Sequence, residues 1–570
     1  IDEVDALTGP IAGKPKSATF RTADVVGIDT LIKVAKNTYD AVPEDESREV
    51  FRVPSYMETM LGNMWLGDKS GQGFFKKIKN ETGESEILTL NLQTFEYQKS
   101  SKTKFATLDA AKPLDNLKER IKILHAGSDK AAEFYRYITF RINNYVSRRI
   151  PEIADELYKI DDAVKAGFGW ELGPFETWDI IGVENTLKAM EADGITVADW
   201  IYKMISGGNN TFYKIENGTR KYFDINSGIY KEIPGSKEFI ILENYKSNVA
   251  VWKNAGATLH DIGDGIVNLE FHTKLNVMGS EILEAVNKSI DIAEKNYRGL
   301  VIANDAANFT AGANLAMMLM LAIDQEFDEL DMAIRYFQNT VARVRFSGIP
   351  VAVCPHGLTL GGGCEMTMHS DIALAAAETY IGLVEAGAGL IPAGGGTKEF
   401  AIRASDKFFK GDIEIPVLQE YSLNIAMAKV ATSAREAFEL GILRNGIDKE
   451  IINSNRVIAE AKRNIIEIAE EGYTQPQPRK DIKVLGRSAL GSFYTGIASM
   501  KIAGYISDHD EKIAQKACFV LCGGDLSQPT EVNEQYLLDL EREVFLSLLG
   551  EKKTLERMQF ILKTGKPLRN

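Results

Sequence analysis

Short apolar runs broken by glycine turns dominate the second half of the chain. Residues 300–303 (LVIA), 351–355 (VAVCP) and 372–377 (IALAAA) have the length and composition of buried strands. Three glycines before residue 364 predict a tight turn between the last two runs, followed by a short helix. A second strand, glycine turn and helix start ends at residues 308–315. The two units can therefore each point a backbone N–H into one cleft.

Helical spacing covers much of the remaining chain. It extends over residues 1–205 and over most residues after Gly396, including 449–472. Residues 274–295 also follow it, with one face formed by Ile282, Leu283, Val286, Ile290 and Ala293. These segments are expected to be amphipathic helices that cover the strands.

Two stretches between the helical parts have strand and turn character. Residues 249–273 predict paired strands around a glycine turn at 263–265. Residues 206–240 are rich in Gly, Asn and Ser with alternating aromatic side chains, and they predict a connector with a hairpin at Asn217-Gly218.

The helical first part contains an internal repeat. Residues 20–27 (FRTADVVG) are echoed by residues 175–182 (FETWDIIG). Residues 5–7 (DAL) are echoed in the same order by residues 162–164 (DAV). A repeat of this kind predicts two similar helical units packed on each other.

Composition and charge narrow the class of protein. A chain of 570 residues is too long for one core and suggests roughly two to four domains. The net charge of −14 argues against nucleic acid or an anionic membrane as the main partner. Four cysteines do not form a disulfide framework, which favours a reducing compartment, and we expect the cytoplasm. The longest apolar run, residues 315–323, is too short to span a membrane.

Two carboxylates are the candidates for chemistry. Glu365 follows the glycine turn, and Glu385 comes twenty residues later. A carboxylate one turn inside a helix start can do acid–base work beside amides that stabilise an anion. By itself, a glycine turn before a solvated glutamate is common in α/β proteins, and it is the unit at 308–315 that favours a site. No histidine has ligand spacing, and Cys518 and Cys522 lack accompanying ligands, so no metal is expected.

Three motifs resemble the crotonase superfamily, and most closely its enoyl-CoA hydratases. They are FTAGANL at 309–315, GLTLGGGCEMTMHSD at 357–371 and GLVEAGAGLIPAGGGT at 382–397. The resemblance implies an α/β crotonase domain, a ββα spiral, over residues 241–570, with a helical insertion at about 473–530. Val384, Ala393 and Asn314 depart from the residues common in the family and affect only fine geometry.

The resemblance also implies roles for individual residues. The backbone N–H groups of Ala313 and Gly362 would form the oxyanion hole for the thioester oxygen. Glu365 and Glu385 would hold and deprotonate the attacking water, which the N–H of Ala393 would also contact. Contacts to coenzyme A, with the adenine ring and the phosphates, would come from the backbone of Ala311 and from Lys274. An ordinary surface lysine is an equally good interpretation of Lys274.

Residues 1–205 resemble the C-terminal domain of 3-hydroxyacyl-CoA dehydrogenases, present in two copies as in multifunctional fatty-acid oxidation enzymes. LTGPIAGKPKSATFRTADVVG at 7–27 and GPFE at 173–176 carry this resemblance. In the family an NAD-binding domain with a GxGxxG turn and a catalytic His–Glu pair precedes these helices. We find neither motif, and the nearest spacing, 387–392, ends in proline. The chain is therefore expected to lack the NAD-binding domain of a longer parent, as a start at Ile1 also suggests.

For this all-α part we expect a scaffold without chemistry, in which Asp24, Glu176 and Asp179 are helix caps and packing groups. The expected activity of the chain is hydration of a 2-enoyl-CoA thioester, which needs no cofactor. An enoyl-CoA isomerase and a non-catalytic fragment for acyl-CoA binding or assembly are the alternatives. Homo-oligomerisation and association with a thiolase are expected from the resemblance. Which glutamate deprotonates water is left open, as are chain length and stereochemistry.

Overall fold

The computed structural model describes residues 1–79, 85–101, 104–114, 116–216, 218–246, 249–411 and 413–570, and only the backbone of residue 237. The chain forms two compact units, Ile1–Pro234 and Gly235–Asn570. Each unit has its own buried apolar clusters.

The first unit is mainly helical, as its apolar spacing predicts. Its helices are α1 (Asp2–Leu7), α2 (Phe20–Val26), α3 (Ile28–Ala41), α4 (Ser55–Gly62), α5 (Ala106–Ala111), α6 (Leu117–Ala126), α7 (Lys130–Arg148), α8 (Leu157–Phe168), α9 (Pro174–Ile181), α10 (Val183–Ala192) and α11 (Asp199–Ser206).

The expectation of an all-α first part is wrong, because two antiparallel three-stranded sheets belong to this unit. Their strands are β1 (Phe75–Lys79), β2 (Ser85–Leu90), β3 (Tyr97–Lys99), β4 (Tyr213–Glu216), β5 (Thr219–Asp224) and β6 (Ile229–Glu232). The stretch expected to be a connector, 206–240, supplies the second sheet, since its aromatic side chains Tyr222 and Phe223 pack into the core. Tyr213 pairs with Tyr222, which confirms the hairpin, although Asn217 lies outside the described residues.

The same backbone contact occurs twice in this unit. Asp24 of α2 accepts hydrogen bonds from the amides of Phe74 and Phe75 at the start of β1, both at 2.8 Å. Asp179 of α9 accepts from the amides of Phe212 and Tyr213 at the start of β4, at 2.7 and 2.9 Å. Each aspartate therefore fastens a helix to the first strand of a sheet.

A second pair of contacts corrects one detail of the predicted repeat. Asp5 accepts from the amides of Phe20 and Arg21. The residue that makes the corresponding contact to Phe175 and Glu176 is Asp161, not Asp162. The sequence pairing was one residue out of register because helical spacing alone does not fix which of two adjacent aspartates points inward.

A seven-stranded sheet forms the centre of the second unit, in the order β15-β13-β11-β10-β9-β8-β7. The pairs from β9 to β15 are parallel, and β7 and β8 are antiparallel. The strands of this unit are β7 (Trp252–Lys253), β8 (Ala257–Asp261), β9 (Ile266–Phe271), β10 (Gly299–Ile302), β11 (Val351–Val353), β12 (Gly357–Leu360), β13 (Ile372–Ala376), β14 (Thr379–Gly382), β15 (Lys449–Ile451), β16 (Ile482–Val484) and β17 (Thr530–Val532).

Helices cover both faces of this sheet. On β10, Leu300 and Ile302 pack into a cluster with α12, whereas Val301 packs on the other face with α19. Burial on both faces explains why the strands are continuous apolar runs. The helices are α12 (Ser280–Asn296), α13 (Leu315–Ile323), α14 (Phe327–Arg345), α15 (Gly362–Met368), α16 (Gly396–Ser405), α17 (Ile415–Ala426), α18 (Ala434–Glu439), α19 (Val457–Glu470), α20 (Gly486–Ile502), α21 (Asp508–Leu521), α22 (Glu534–Leu549) and α23 (Lys552–Thr564).

Most elements of the second unit agree with the sequence pattern, with one exception. The apolar face predicted for 274–295 is buried on α12, and β8 and β9 pair around the turn at 263–265. The helix expected over 449–472 instead begins at Val457, because Lys449–Ile451 pair with Leu374–Ala376 as the edge strand β15.

The segment expected to be a helical insertion contains α20 and α21. Its two ends meet in an antiparallel pair, in which Ile482 of β16 lies opposite Val532 of β17. In the part of the chain that is described, no helix combines the length and apolar character needed to cross a bilayer.

Candidate active site

Glu365 lies in the first turn of α15 and is 3 % exposed. The turn before the helix is possible because Gly361 has a φ of +53°, a conformation that suits glycine. Oε1 of Glu365 accepts hydrogen bonds from the amides of Gly394, at 2.7 Å, and Gly396, at 2.9 Å. The carboxyl group is thus oriented by the glycine loop that precedes α16.

Glu385 reaches the same place from a different strand. It begins a 3-10 helix, Glu385–Ala388, shortly after β14. β12 and β14 are parallel neighbours, so their carboxyl ends lie together, and the amide of Gly361 donates to the carbonyl of Gly382 at 2.9 Å. A Cβ atom placed on Gly361 would lie 3.0 Å from Oε1 of Glu385.

The two carboxyl groups have different surroundings. Burial raises the pKa of Glu365 to about 7, although the amide donors of Gly396 and Gly394 lower it. Burial, followed by the charge of Glu365, raises the pKa of Glu385 well above its ordinary value. Oε2 of Glu385 is buried and has no hydrogen-bond partner within the described ranges. These surroundings favour ionisation of Glu365 before Glu385.

The loop before α13 approaches the glycine turn before α15. Thr310 pairs with Thr359 in a parallel bridge, and the amide of Leu360 donates to the carbonyl of Thr310 at 3.1 Å. A Cβ atom on Gly312 would be 3.7 Å from the amide nitrogen of Gly362. Among the residues that are described, neither the Ala313 nor the Gly362 amide donates a hydrogen bond to protein. Both remain available to an oxygen atom in the cleft.

Gly394 and Gly362 are packed so closely against neighbouring side chains that neither position has room for a side chain of its own. A Cβ atom on Gly394 would lie 2.4 Å from Oε2 of Glu365 and 2.5 Å from the Phe337 ring. The same ring would lie 2.6 Å from a Cβ atom on Gly362. Glycine at these positions lets the carboxyl group and the aromatic ring approach the backbone.

The sequence analysis did not identify a third carboxyl group in this region, that of Glu541 on α22. Its side chain is fully buried, and it accepts from the amides of Gly395, at 3.0 Å, and Lys398. Burial and the nearby charge of Glu365 raise its pKa well above the ordinary value. Glu365 and Glu541 therefore divide between them the amides at the start of α16.

One sequence signal could have pointed to Glu541. It is spaced four residues from Leu537 and from Phe545, which are both buried, so it falls on the apolar face of its helix. A carboxyl group on such a face requires partners in the core.

The remaining predicted contact residues fall into two places. Ala393 adjoins Gly394, is 4 % exposed, and its carbonyl accepts from Nε2 of Gln338 at 2.8 Å. The amide of Ala311 donates to the carbonyl of Leu275 at 3.1 Å, so Ala311 lies beside the 3-10 helix Lys274–Asn276, in which Lys274 is exposed.

The histidines near the glycine turn do not contact the two carboxyl groups. Nε2 of His356 lies 2.8 Å from the carbonyl of Ala306. Nδ1 of His369 lies 2.7 Å from the main-chain carbonyl of Glu365, and Nε2 lies 2.9 Å from Nζ of Lys398. Burial lowers the pKa of His369 well below its ordinary value, which favours a neutral ring. The contact with the carbonyl of Glu365 stabilises the end of α15.

Comparisons with known proteins fit this arrangement. Residues 261–408 match the family model described as enoyl-CoA hydratase/isomerase, and residues 1–77 match that of the 3-hydroxyacyl-CoA dehydrogenase C-terminal domain. A probable 3-hydroxyacyl-CoA dehydrogenase of Bacillus subtilis is 44 % identical over 571 residues, which cover 100 % of this chain and 71 % of the relative. The chain belongs to the family of that protein.

More distant relatives and solved structures also match. A putative fatty acid oxidation complex trifunctional enzyme of Rickettsia felis is 24 % identical over 97 % of this chain and 68 % of its own length. The crystal structure of enoyl-CoA hydratase from Bacillus halodurans is 15 % identical with a TM-score of 0.36, covering 53 % of this chain and 98 % of that one. Likeness at this level does not bear on function, and the family rests on the sequence relatives.

Relatives named as dehydrogenases imply NAD in the family, but the residues nearest to its fingerprint do not fit it. The glycines at 387 and 389 belong to a 3-10 turn in which their amides donate to the carbonyls of Val384 and Ala386. The amide of Leu390 donates to the carbonyl of Glu385. Amides that are already paired in this way are not available to a pyrophosphate.

Proposed function

We propose that the second unit adds water to 2-enoyl-CoA thioesters and forms 3-hydroxyacyl-CoA. The observation that supports it most directly is the contrast between two neighbouring carboxyl groups at the meeting of the Gly312 and Gly361 loops. Glu365 accepts from two backbone amides, whereas Oε2 of Glu385 is buried with no partner in the described ranges. Water addition needs a base for water, an acid for the α-carbon and donors for the enolate oxygen. The cleft supplies one candidate for each need.

In the proposed mechanism Glu365 is the base. Its carboxylate takes a proton from water while the water oxygen bonds to the β-carbon. The electron pair of the double bond moves to the thioester carbonyl, and the resulting enolate oxygen accepts from the amides of Ala313 and Gly362. One such donor typically contributes about 3 kcal/mol.

Glu385 then acts as the acid. As the enolate collapses, the proton of Glu385 passes to the α-carbon, which completes the 3-hydroxyacyl thioester. Transfer of the proton from Glu365 to Glu385, directly or through the next water, restores the starting state. The assignment follows from the two amide donors on Glu365, which favour its charged form, and from the unpartnered Oε2 of Glu385.

Coenzyme A contacts are part of the proposal. The backbone of Ala311 would face the adenine ring, and Lys274 on the adjacent 3-10 helix would approach the phosphates. The amide of Ala393 would contact the attacking water, since Ala393 adjoins the loop that holds Glu365.

The test is hydration of crotonyl-CoA by Glu365→Gln and Glu385→Gln, followed by loss of absorbance of the conjugated thioester. Each variant should lose at least about a hundredfold in kcat/KM. Glu378→Gln is the matched control, because Glu378 is exposed on the neighbouring segment. Unchanged turnover in either variant would remove that glutamate from the mechanism.

Two further outcomes separate the alternatives. Conversion of a 3-enoyl-CoA faster than hydration of crotonyl-CoA would make the chain an isomerase. Binding of crotonyl-CoA by the unaltered chain without turnover would make it a non-catalytic acyl-CoA-binding protein.

The names of the relatives agree with a role in fatty-acid oxidation. For the first unit we infer a duplicated scaffold without chemistry, because Asp24 and Asp179 make the same strand contact and Glu176 pairs with Arg220 and Lys165. Homo-oligomerisation, association with a thiolase and a cytoplasmic location stay predictions.

A further inference from the structure

A cavity of about 680 Å³ lies among helices α17, α20 and α21 of the second unit. Its wall is mostly apolar, with Leu423 from α17 and Phe493, Ile497 and Met500 from α20. The volume is within the range of pockets that hold small molecules. No carboxyl group or amide of the proposed hydration cleft lines it, so it is a separate place in the fold.

The cavity opens to solvent through apolar side chains. Tyr505 and Met427 line it, and they are 79 % and 43 % exposed. An apolar wall that continues into an exposed apolar rim favours entry of a hydrocarbon group over entry of water.

A positively charged group adjoins this apolar wall. Asp510 and Arg569 line the cavity, and Oδ1 of Asp510 accepts from Nη1 of Arg569 at 2.7 Å. The same oxygen lies 2.9 Å from Nη1 of Arg557. Two guanidinium groups thus face one carboxylate, which leaves one positive charge in excess.

Arg569 carries the available part of that charge. Arg557 is fully buried, and its other donors bond to the main-chain carbonyl of Ala386, the hydroxyl of Ser507 and Oδ1 of Asn570. Arg569 has a side chain that is 44 % exposed, and Asp510 is its only partner in the described part of the chain. The free edge of its guanidinium can pair with two oxygen atoms of an anion.

We propose that this cavity binds a free, unbranched aliphatic carboxylate, with the hydrocarbon chain against α17 and α20 and the carboxylate at Arg569. The site goes beyond the proposed hydration, and its occupation does not depend on turnover. The acyl tail of a thioester held in the hydration cleft offers the same hydrocarbon chemistry without the carboxylate. The experiment separates these two sources.

The first part of the test fills the cavity. Gly496 lines it in the middle of α20, and a Cβ atom there would meet no other heavy atom within 4 Å. Gly496→Leu should weaken binding of a fluorescent polyene fatty acid, and of dodecanoate that displaces it, by about tenfold or more. Gly491→Leu is the control, because Gly491 is on the same helix, has equal open space and does not line the cavity.

The second part tests the charge. Arg569→Gln should weaken the binding of dodecanoate by about tenfold. It should change the binding of dodecanol, which has the same hydrocarbon chain, by less than about twofold. An equal loss of affinity for both ligands would show that the carboxylate does not bind at Arg569. No binding of dodecanoate to the unaltered chain, or equal binding by the two leucine variants, would overturn the site.

The third part distinguishes a free carboxylate from the acyl tail of a thioester as the ligand of the cavity. With a free carboxylate as the ligand, Gly496→Leu should leave KM unchanged for both crotonyl-CoA and dodec-2-enoyl-CoA. A rise in KM for the long thioester alone would assign the cavity to the acyl tail and overturn the proposal. Direct binding of dodecanoate is measured without turnover, so failure of the hydratase assignment would not obscure the result. Urea unfolding of each variant shows that it is folded.

Discussion

Glu365 is buried and Glu385 is half-buried, and their carboxyl groups have different partners. Glu365 accepts two backbone amides, whereas Oε2 of Glu385 accepts none from protein. Each amide bond favours the ionised form, and burial alone favours the neutral form. Because the groups interact, they titrate as a coupled pair in which the first proton leaves mainly from Glu365.

This order of ionisation predicts a pH dependence for hydration. The pKa of Glu365 is raised to about 7 by burial, so the base is protonated and inactive below that pH. We expect kcat/KM for crotonyl-CoA to fall about tenfold per pH unit below about pH 7, and to fall again in alkali as Glu385 loses its proton. A profile that is flat from pH 5 to 8 would contradict the assignment of Glu365 as the base.

Among single residues, those that belong to continuous sequence motifs could be predicted from the sequence. The glycine turns at 308–315 and 357–365 were predicted to meet, and the structure places Gly312 beside Gly362 and Glu385 beside Gly361. Glu541 could not be predicted in the same way, because its contacts to Gly395 and Lys398 join positions more than 140 residues apart. Whether Lys274 meets a phosphate depends on a ligand and cannot be predicted from spacing.

Among the elements, α22 and the start of α16 form the support of the cleft. Glu541 pairs with amides of Gly395 and Lys398, and the side chain of Glu534 pairs with Nζ of Lys398 at 3.0 Å. Nε2 of Gln338 links the carbonyls of Ala393 and Leu538. The loop that orients Glu365 is thus held by a helix near the end of the chain.

Removal of the Glu541 side chain should therefore destabilise the protein. Glu541→Ala leaves two buried amides without acceptors, and we expect a loss of about 2–5 kcal/mol in the free energy of unfolding by urea. Glu543→Ala on the exposed face of the same helix is the control and should change it by less than about 0.5 kcal/mol. Equal stability of the two variants would show that Glu541 does not hold the loop.

The glycine loop itself offers a test of geometry. In Gly394→Ala the new methyl group would lie 2.4 Å from Oε2 of Glu365, so the carboxyl group must move. We expect hydration of crotonyl-CoA to fall by at least about tenfold. Gly491→Ala, in open space on α20, should keep full activity and gain about 0.5–1 kcal/mol of stability. Full activity of Gly394→Ala would mean that Glu365 is not held as described.

Secondary structure was predicted correctly where an apolar period extended over several turns of helix. It was predicted wrongly where a segment became a strand only by pairing with a distant strand. α12 was predicted from five apolar positions that are all buried. Lys449–Ile451 are too short to show a period, and they became a strand only because β13 offers an edge. The first sheet of the first unit, β1–β3, was likewise hidden among charged residues such as Lys76 and Lys77, since tertiary context overrides weak strand preferences.

At the scale of the whole molecule, we propose different roles for the two units. The polar groups Asp24, Glu176 and Asp179 of the first unit are paired within the fold, whereas the second unit contains the proposed hydration cleft. The number of units was within the range predicted from length, but the boundary moved to Pro234 because β4–β6 pack on the helices before them.

This division predicts which reaction the chain performs. We expect the 570-residue chain to hydrate crotonyl-CoA but not to oxidise NADH with acetoacetyl-CoA, because the glycine amides nearest to an NAD fingerprint are paired internally. The measurement is the absorbance of NADH in the presence of acetoacetyl-CoA. The protein preparation is first shown to hydrate crotonyl-CoA. Reduction above the rate without protein would show that the chain contains a nicotinamide site.

The antiparallel contact between β16 and β17 has a topological consequence. Both ends of the intervening stretch are joined at one place, with Val484 opposite Thr530. The helices between them are nevertheless part of the core, because α20 and α21 share one apolar cluster with α16, α17 and α22. Deletion of the stretch would therefore expose apolar side chains of α16 and α22 to solvent.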